Sequence, residues 1–321
     1  MAKIKRVGLV GCGLIGAGWA ARFRHFGMDV VAYDPRPEAG PYLHEMVADA
    51  AGPLAEIMPA TTKPGTVTFT TSLAEAVGEA DFIQESIPDR EDLKREVIAR
   101  TDAVAKPSTL IASSSSGLLP TRLQELCSHP ERVLIGHPFN PVYLLPLVEL
   151  LAGEKTDPKA LEQAAVIYRG IGMHPLTVRK EVLGYLANRI QEAAFRECLH
   201  LINEGAATAD ELDQAIAYGP GLRWAFWGVH QVSHLAGGPG GMRHTIEHFG
   251  PAMEEPWSYM KAPKLTRELM EAVITQTEAQ AGGKSVRELQ QLRDRCLVEV
   301  LKALAKTGVG AGAAIAAARK G

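Results

Sequence analysis

The stretch Val7–Gly16, which reads Val-Gly-Leu-Val-Gly-Cys-Gly-Leu-Ile-Gly, decides the fold of this 321-residue chain. A short apolar run is followed by the pattern G-x-G-x-x-G, which opens a helical pattern over Ile15–Phe26. A second predicted strand, Asp29–Tyr33, ends directly before Asp34, an acid 18 residues after Gly16. This order of strand, glycine loop, helix, strand and acid is typical of a dinucleotide-binding βαβ unit.

The positions of this glycine loop have separate physical roles. Gly11 permits the tight turn, Gly13 lets the backbone approach a pyrophosphate, and Gly16 allows the helix to pack closely on the sheet. The helix N-terminus favours the phosphates, because its N–H groups and dipole attract anions. Asp34 is expected to bind the adenosine ribose and to repel a 2′-phosphate, which favours NAD over NADP, although Arg36 is of a type that serves a phosphate. The predicted NAD-binding residues here are Gly11, Cys12, Gly13, Leu14, Ile15, Gly16 and Asp34; a glycine-rich turn without a ligand is the alternative.

Short β-branched runs alternate with helical patterns as far as about Arg179. The predicted strands are Arg6–Val10, Asp29–Tyr33, Val67–Thr70, Phe82–Gln84, Thr109–Ala112, Val133–Gly136, Leu147–Leu151 and His174–Val178. The predicted helices between them are Ile15–Phe26, Arg90–Ala105, Pro120–Cys127 and Pro158–Gly170. Such alternation is typical of a mostly parallel sheet with helices on both faces.

After Gly184 the strand signals stop and only helical patterns follow. The predicted helices are Tyr185–Ile202, Ala209–Ala217, Arg223–His234, Met242–Phe249, Ala262–Ala279 and Ser285–Ala305, and the Gly/Ala-rich tail Gly308–Arg319 is expected to fray. We therefore predict an α/β N-terminal Rossmann-type doubly wound sheet followed by an all-α C-terminal domain. The NAD-binding domain is expected to cover residues 1–183, and the helical substrate and dimerisation domain residues 184–321.

Composition excludes several classes of protein. With 34 Lys+Arg against 37 Asp+Glu and 46% hydrophobic residues, the chain is neither disordered nor basic enough for a nucleic-acid partner. The four cysteines lie far apart without a C-x-x-C pair, which predicts a reducing cytoplasm rather than a disulfide framework: Cys12, Cys127, Cys198 and Cys296.

The N-terminus imitates a signal peptide. Lys3, Lys5 and Arg6 precede the apolar segment Val7–Ala21. However, five glycines in that segment would weaken a membrane-inserted helix, and no uninterrupted apolar run reaches the ~20 residues that a membrane span needs. We therefore expect a cytoplasmic protein without a membrane partner.

Two polar segments follow predicted strands and are expected to lie beside the cofactor. Ser113–Gly117 and His137–Pro141 each come after a strand, and ligands of parallel α/β sheets collect at the carboxyl ends of strands. Glu149 stands twelve residues after His137, inside the apolar run Pro146–Leu151. An acid in such a run is costly without a partner. A His–Glu pair would satisfy this acid and supply a general base for alcohol oxidation.

The sequence resembles the 3-hydroxyacyl-CoA dehydrogenase superfamily along essentially its whole length. The segments that carry the resemblance are Gly11–Gly16 with Asp34, Phe82–Glu85, Ser113–Ser116, His137–Pro141 with Glu149, and Gly184–Arg189. The resemblance implies that His137 is the catalytic base and Glu149 its orienting partner. It also implies that Ser116 and Asn188 hydrogen-bond the reacting oxygen. From the residues alone, Ser113–Ser116 is equally compatible with a plain turn, and Asn188 with a helix cap or a surface residue.

The resemblance further implies two residues on the nicotinamide-ribose side of NAD, Glu85 and Lys94. The loop Pro88–Asp92 between them differs in length from that of the acyl-CoA enzymes, so Lys94 matches the family pattern less closely.

The second half of the chain predicts the substrate class. It lacks the Gly-Phe-Tyr segment typical of the acyl-CoA enzymes, which indicates the branch that oxidises small 3-hydroxy acids. The segments His137–Glu149, Gly219–Phe226 and Gly238–His244 are most similar to the members that act on L-carnitine. An L-gulonate-oxidising relative shares much of the first segment, so L-gulonate, or a 3-hydroxyacyl-CoA, is the alternative substrate.

Aromatic residues are concentrated where a cationic substrate would use them. Seven of the 19 lie in one stretch: Tyr218, Trp224, Phe226, Trp227, Phe249, Trp257 and Tyr259. Aromatic faces bind a trimethylammonium group by cation–π attraction. The candidate substrate contacts are Tyr143, Trp224, Phe226 and Trp227; a helical core or a dimer interface is the alternative. The resemblance implies a homodimer through the helical domain.

Two other classes of function are weighed. His244-Thr245-Ile246-Glu247-His248 matches the inverted zinc-peptidase pattern H-x-x-E-H, and His230 with His234 adds a second i,i+4 pair. Because these residues lie inside the second domain of a predicted dehydrogenase, we expect no metal. A non-catalytic NAD-binding structural protein shares the predicted fold, but the His137/Glu149 pair argues against it.

Overall fold

The computed structural model describes residues 4–60, 63–253, 258, 264 and 266–319. They form two compact units. The first unit comprises the described residues up to Leu186 together with those from Asp294 on, and the second unit comprises Ala187–Arg293. The predicted domain division at residues 183 and 184 stays a prediction.

The first unit contains an eight-stranded sheet in the order β3-β2-β1-β4-β5-β6-β7-β8. Its strands are β1 (Arg6–Val10), β2 (Asp29–Tyr33), β3 (Val67–Thr70), β4 (Phe82–Glu85), β5 (Leu110–Ser113), β6 (Val133–Pro138), β7 (Leu147–Ala152) and β8 (His174–Thr177). All neighbouring strands are parallel except β6 and β7, which are antiparallel. The predicted, mostly parallel doubly wound sheet is confirmed, and every predicted strand lies within two residues of its observed bounds.

Helices cover both faces of this sheet. Those of the first unit are α1 (Leu14–His25), α2 (Ala39–Ile57), α3 (Leu73–Val77), α4 (Glu91–Val104), α5 (Pro120–Leu123) and α6 (Pro158–Gly170). Strand residues alternate between the faces, since Leu110 and Ala112 enter one hydrophobic cluster and Ile111 the other. One cluster packs around Trp19 of α1, and the other includes Ile98 of α4. The sheet is therefore buried on both sides, as helices on both faces of a parallel sheet require.

The rest of the described chain is helical, as predicted. The helices are α7 (Ala187–Asn203), α8 (Ala209–Tyr218), α9 (Pro220–Trp224), α10 (Val229–Ala236), α11 (Gly241–Met253), α12 (Arg267–Ala281), α13 (Val286–Thr307) and α14 (Ala311–Ala318). None of the described helices is by itself long and apolar enough to cross a membrane; the bent pair Arg287–Thr307 and Ala311–Ala318 passes on length and composition alone.

Two predicted helices and the expectation for the C-terminal tail need correction. The single predicted helix Arg223–His234 is two helices, α9 and α10. The predicted helix Pro120–Cys127 ends at Leu123. The tail Gly308–Arg319, expected to fray, forms α14, and its Ile315 is fully buried in the core of the first unit. The tail is held because Gly312 brings α14 against the backbone of Leu304, a place that no side chain would fit.

Candidate active site

The glycine loop between β1 and α1 has the shape that a dinucleotide needs. Gly11 adopts a φ of +99°, a conformation that favours glycine, and its N–H donates to the carbonyl of Tyr33 at 2.8 Å. A Cβ on Gly16 would collide with the carbonyl oxygen of Gly11, whereas a Cβ on Gly13 would meet nothing within 4 Å. In this fully described segment α1 has no acidic residue in its first turn and no side-chain cap from Gly13. The space beside Gly13 and the helix N-terminus fit a pyrophosphate.

Asp34 follows β2 and lies against this loop. Its carboxylate accepts hydrogen bonds from the N–H of Cys12 at 3.2 Å and from the N–H of Arg36 at 3.1 Å, and it forms a two-pronged ion pair with the Arg36 guanidinium at 3.0 and 3.2 Å. Burial by itself raises the pKa of Asp34, but the hydrogen bonds from Arg36 and Cys12 outweigh it and hold the pKa below its ordinary value. Burial and the Asp34 charge raise the pKa of the Cys12 thiol to about 12. The acid expected at the ribose is therefore charged.

Glu85 and Lys94 form a buried ion pair at the carboxyl end of β4. Lys94 Nζ lies 2.7 Å from Glu85 Oε1, and the two side chains are 2% and 1% exposed. Glu85 also accepts hydrogen bonds from Ile87 N–H at 2.7 Å and from Ser113 Oγ at 2.5 Å. The structure thus brings together the two residues expected at the nicotinamide ribose, and their contact with NAD stays a prediction.

The serines after β5 have distinct partners. Ser113 donates to Glu85, as described above. Ser114 Oγ accepts from the Trp19 indole N–H at 3.1 Å and from the Gln84 amide at 2.8 Å, which ties the loop to the core. These long-range contacts show more than a plain turn.

The other two serines of this run, Ser115 and Ser116, both hydrogen-bond to Asp89. Ser115 Oγ and Ser116 Oγ each donate to its carboxylate at 2.6 Å, and Ser116 N–H donates at 2.9 Å. Lys94 Nζ lies 3.8 Å away. Burial by itself raises the pKa of Asp89, but the two serines and Lys94 outweigh it and hold the pKa below its ordinary value. Sequence reasoning missed Asp89, which stands among the charged residues of a polar loop.

His137 and Glu149 are direct partners in the antiparallel β6–β7 pair. His137 Nδ1 lies 2.9 Å from Glu149 Oε2, and the two residues are 5% and 0% exposed. Glu149 Oε1 accepts the N–H of Leu186 at 3.0 Å. The rings of Phe139 and Tyr185 pack edge-on against the imidazole, with centroids at 4.9 and 5.4 Å. A carboxylate at Nδ1 assigns the proton to that nitrogen, so Nε2 is the one able to accept a proton.

Two further predicted residues are Asn188 and Tyr143. Asn188 is the second residue of α7, in the second unit. Tyr143 belongs to the core of the first unit, 5% exposed, and its hydroxyl donates to Asp294 at 2.5 Å. Their contacts with substrate stay predictions.

The aromatic candidates of the second unit lie on and after α9. Trp224 and Trp227 are 44% and 40% exposed, and the rings of Phe226 and Trp227 pack edge-on at 5.0 Å. Trp257 and Tyr259, counted in the same aromatic stretch, lie outside the described residues. A role of this aromatic group in substrate binding stays a prediction.

The H-x-x-E-H segment is built differently from a metal site. The rings of His244 and His248 stack at 5.5 Å, and Glu247 pairs with Arg243 at 3.6 Å. The part of the chain that the structure describes contains no group of three or more His, Cys, Asp or Glu arranged to hold a metal ion.

A cleft of about 1120 Å³ opens at the opposite edge of the sheet. Its wall includes Ile4, Met28 and Asp81, which precede β1, β2 and β4. It is therefore separate from the glycine loop, which follows the carboxyl end of β1, and from His137, which lies near the carboxyl end of β6.

Alcohol oxidation with NAD needs a loop that binds a dinucleotide and a group that accepts the alcohol proton, and this site contains a loop of that shape and a buried histidine. The chain is an NAD-dependent dehydrogenase of CH–OH groups. Its sequence matches the family model described as "3-hydroxyacyl-CoA dehydrogenase, NAD binding domain" over residues 6–182, and the model of the C-terminal domain over residues 184–284. The chain belongs to the 3-hydroxyacyl-CoA dehydrogenase family. The predicted fold class, family and cofactor are confirmed.

Relatives of known name match over nearly the full length. An L-carnitine dehydrogenase from a Pseudomonas species is 50% identical over 309 residues, which cover 94% of each chain. Another, from Pseudomonas aeruginosa, is 48% identical over 98% of each chain. Among solved structures, 5-formyl-3-hydroxy-2-methylpyridine 4-carboxylic acid 5-dehydrogenase, an NAD+ dependent dismutase, is similar with a TM-score of 0.80 and 29% identity, covering 94% of this chain and 99% of that one.

Proposed function

We propose that this protein oxidises L-carnitine at C3 to 3-dehydrocarnitine with NAD. The observation that carries the substrate is the identity of about half of all positions, along nearly the whole chain, to proteins named L-carnitine dehydrogenase. The buried contact of His137 with Glu149 supports the chemistry, because a carboxylate at Nδ1 orients the imidazole and leaves Nε2 as the proton acceptor.

In the proposed reaction, NAD supplies the hydride acceptor when bound. His137 Nε2 removes the hydroxyl proton of the substrate. Glu149, bonded at Nδ1, holds the ring in the required tautomer and stabilises the imidazolium that results. Phe139 and Tyr185 restrict the ring from its two sides, and Leu186 N–H fixes the second oxygen of the carboxylate. The base therefore enters the reaction already oriented.

Ser116 and Asn188 are proposed to hold the reacting oxygen, as the family resemblance implies. Because an ionised carboxylate cannot donate, the short contact between Ser116 and Asp89 places the hydroxyl proton of Ser116 on the Asp89 side. Ser116 then faces substrate as a hydrogen-bond acceptor and accordingly orients the alcohol in the ground state.

The test is a comparison of substrates in one assay. NAD reduction is measured with L-carnitine, L-gulonate and 3-hydroxybutyryl-CoA at matched concentrations. We expect a kcat/KM for L-carnitine on the order of a hundredfold above either alternative, a discrimination of ~3 kcal/mol. Equal or faster turnover of L-gulonate or of the CoA ester would refute the substrate and leave the dehydrogenase class intact.

We also propose a homodimer through the helical domain. Large apolar side chains are exposed on the second unit taken by itself, among them Ile190 and Leu222 at 64% each. Such side chains are typical of surfaces that a partner covers. Light scattering that gives twice the 34.5 kDa chain mass supports this proposal, and the monomer mass refutes it. The cytoplasmic location stays a prediction.

A further inference from the structure

The loop between β4 and α4 places a partly exposed carboxylate one hydrogen bond away from Ser116. Asp89 accepts the Ser116 hydroxyl at 2.6 Å, and its own side chain is 35% exposed. No role for Asp89 follows from the family resemblance. Asp89 is hydrogen-bonded to Ser116, which is expected at the reacting oxygen, so the charge of Asp89 lies close enough to act on the substrate.

The three charged residues Glu85, Lys94 and Asp89 together carry one negative charge in excess. Lys94 lies 2.7 Å from Glu85 and 3.8 Å from Asp89, so the buried cation is matched to Glu85. Asp89 accepts hydrogen bonds from the neutral donors of Ser115 and Ser116, which keep it ionised without cancelling its charge. Since Glu85 and Lys94 are almost fully buried, Asp89 is the member of the three that reaches solvent.

The proposed substrate carries its positive charge next to the reacting carbon. In L-carnitine the trimethylammonium group is attached to C4, and the hydroxyl that Ser116 is expected to contact is on C3. A carboxylate bonded to Ser116 is therefore close to the cation. A quaternary ammonium has no N–H to donate, so it is attracted by charge and by aromatic faces. The serine hydrogen bonds that occupy the Asp89 oxygens do not weaken such an attraction.

We infer that Asp89 is a specificity-determining residue that attracts the cationic end of the substrate and favours it over a 3-hydroxy acid without a cation. This inference rests on the proposed function. It concerns binding rather than proton transfer, so the part of its effect that depends on the substrate belongs in the KM of cationic substrates.

The test compares two substrates of the same shape. L-Carnitine and its carbon isostere without the cation, 3-hydroxy-5,5-dimethylhexanoate, are assayed with Asp89→Asn, which keeps the size and a hydrogen-bond acceptor. We expect the KM for L-carnitine to rise about tenfold, the effect of one charge at ~6 Å in a partly solvated site. The KM for the isostere should stay close to wild type, and any change in kcat should be the same for both substrates, because it would come from the Ser116 contact that they share.

Two further variants separate charge from structure. Asp89→Glu keeps the charge and should restore most of the affinity for L-carnitine. Asp92→Asn is the matched control, because Asp92 is a 72% exposed acid of the same loop region, paired with Arg90 at 2.8 Å; it should leave both substrates unchanged. Tetramethylammonium, which has no hydroxyl for Ser116, should inhibit wild type competitively against L-carnitine and should inhibit Asp89→Asn far less.

The outcomes distinguish this inference from the proposed function. Wild type that does not oxidise L-carnitine refutes the proposed function, and the inference with it. Wild type that does so, with Asp89→Asn at the wild-type KM and with unchanged tetramethylammonium inhibition, refutes the inference alone. An equal rise of KM for both substrates also overturns it, because Asp89 would then act only by holding the serines.

Discussion

Replacing His137 by asparagine removes the proposed base while keeping its structural contact. In wild type, His137 Nδ1 lies 2.9 Å from Glu149 Oε2. The amide nitrogen of the asparagine would occupy nearly the position of Nδ1 and so could continue to donate to Glu149. An alanine would instead leave the fully buried Glu149 carboxylate short of a donor, at a cost of roughly 1–3 kcal/mol or more. His137→Asn therefore isolates the loss of Nε2.

The expected result is a fall in kcat of ~10²–10⁴-fold, the usual contribution of a general base. The NAD dissociation constant and the thermal unfolding midpoint should remain at wild-type values, because the glycine loop and the Glu149 contact are untouched.

The measurements are NADH formation at saturating L-carnitine and calorimetric titration with NAD. His129→Gln serves as control, since His129 is a half-exposed histidine that contacts Glu131 at 3.5 Å. A kcat within a few-fold of wild type in His137→Asn would refute His137 as the base. A large fall in unfolding temperature would refute the claim that asparagine replaces the Nδ1 contact.

The remaining predictions concern the cofactor loop. Gly13→Ala should fold like wild type, because its Cβ meets no atom within 4 Å, yet bind NAD about tenfold more weakly, since the methyl group occupies the pyrophosphate space. Gly16→Ala collides with the Gly11 carbonyl and should lose stability even without NAD, so equal melting curves for the two variants would contradict this reading of the loop. Asp34→Ala should weaken NAD and narrow the preference over NADP, whereas a wild-type preference for NADP would show that Arg36 dominates. The pKa of Asp34 is lowered in the folded state, so the folded state binds this proton less readily than the unfolded state. Asp34 therefore stabilises the fold above pH ~4, and this contribution is lost as the pH falls. Acid titration followed by circular dichroism should show the difference in stability between wild type and Asp34→Asn closing at low pH.

Most of the sheet was predictable because each strand is a short apolar run between polar segments. The longest element missing from the predicted helices is α2. Gly40, Gly52 and Pro53 are residues that oppose helices, and all three lie inside it. The structure supplies the reason for Gly40, since a Cβ there would press against the ring of Phe69 at 2.9 Å. Close packing on β3 outweighs the local preference of the chain.

The two acids near the serines and the histidine differ in how far the sequence reveals them. Glu149 stands in an apolar strand, where a charge is costly alone, so its pairing with a nearby histidine could be predicted. Asp89 stands in a polar loop beside Arg90 and Asp92, which is how an ordinary solvated acid looks in sequence. Nothing in the sequence of that loop indicates that two serines more than twenty residues away hydrogen-bond to Asp89.

The position of Asp89 follows from strand order rather than from its own neighbours. The β4–β5 register makes Glu85 and Ser113 direct partners, so the residues just beyond each strand meet at the same edge of the sheet. Ser115 and Ser116 consequently reach the Asp89 loop, while Glu85 is fixed within β4 itself. A change in the length of this loop would then move Asp89 away from the serines and leave Glu85 with its Ser113 hydrogen bond. By the inference drawn above for Asp89, the length of this loop is therefore expected to alter the substrate charge preference without disturbing the ion pair of Glu85 and Lys94.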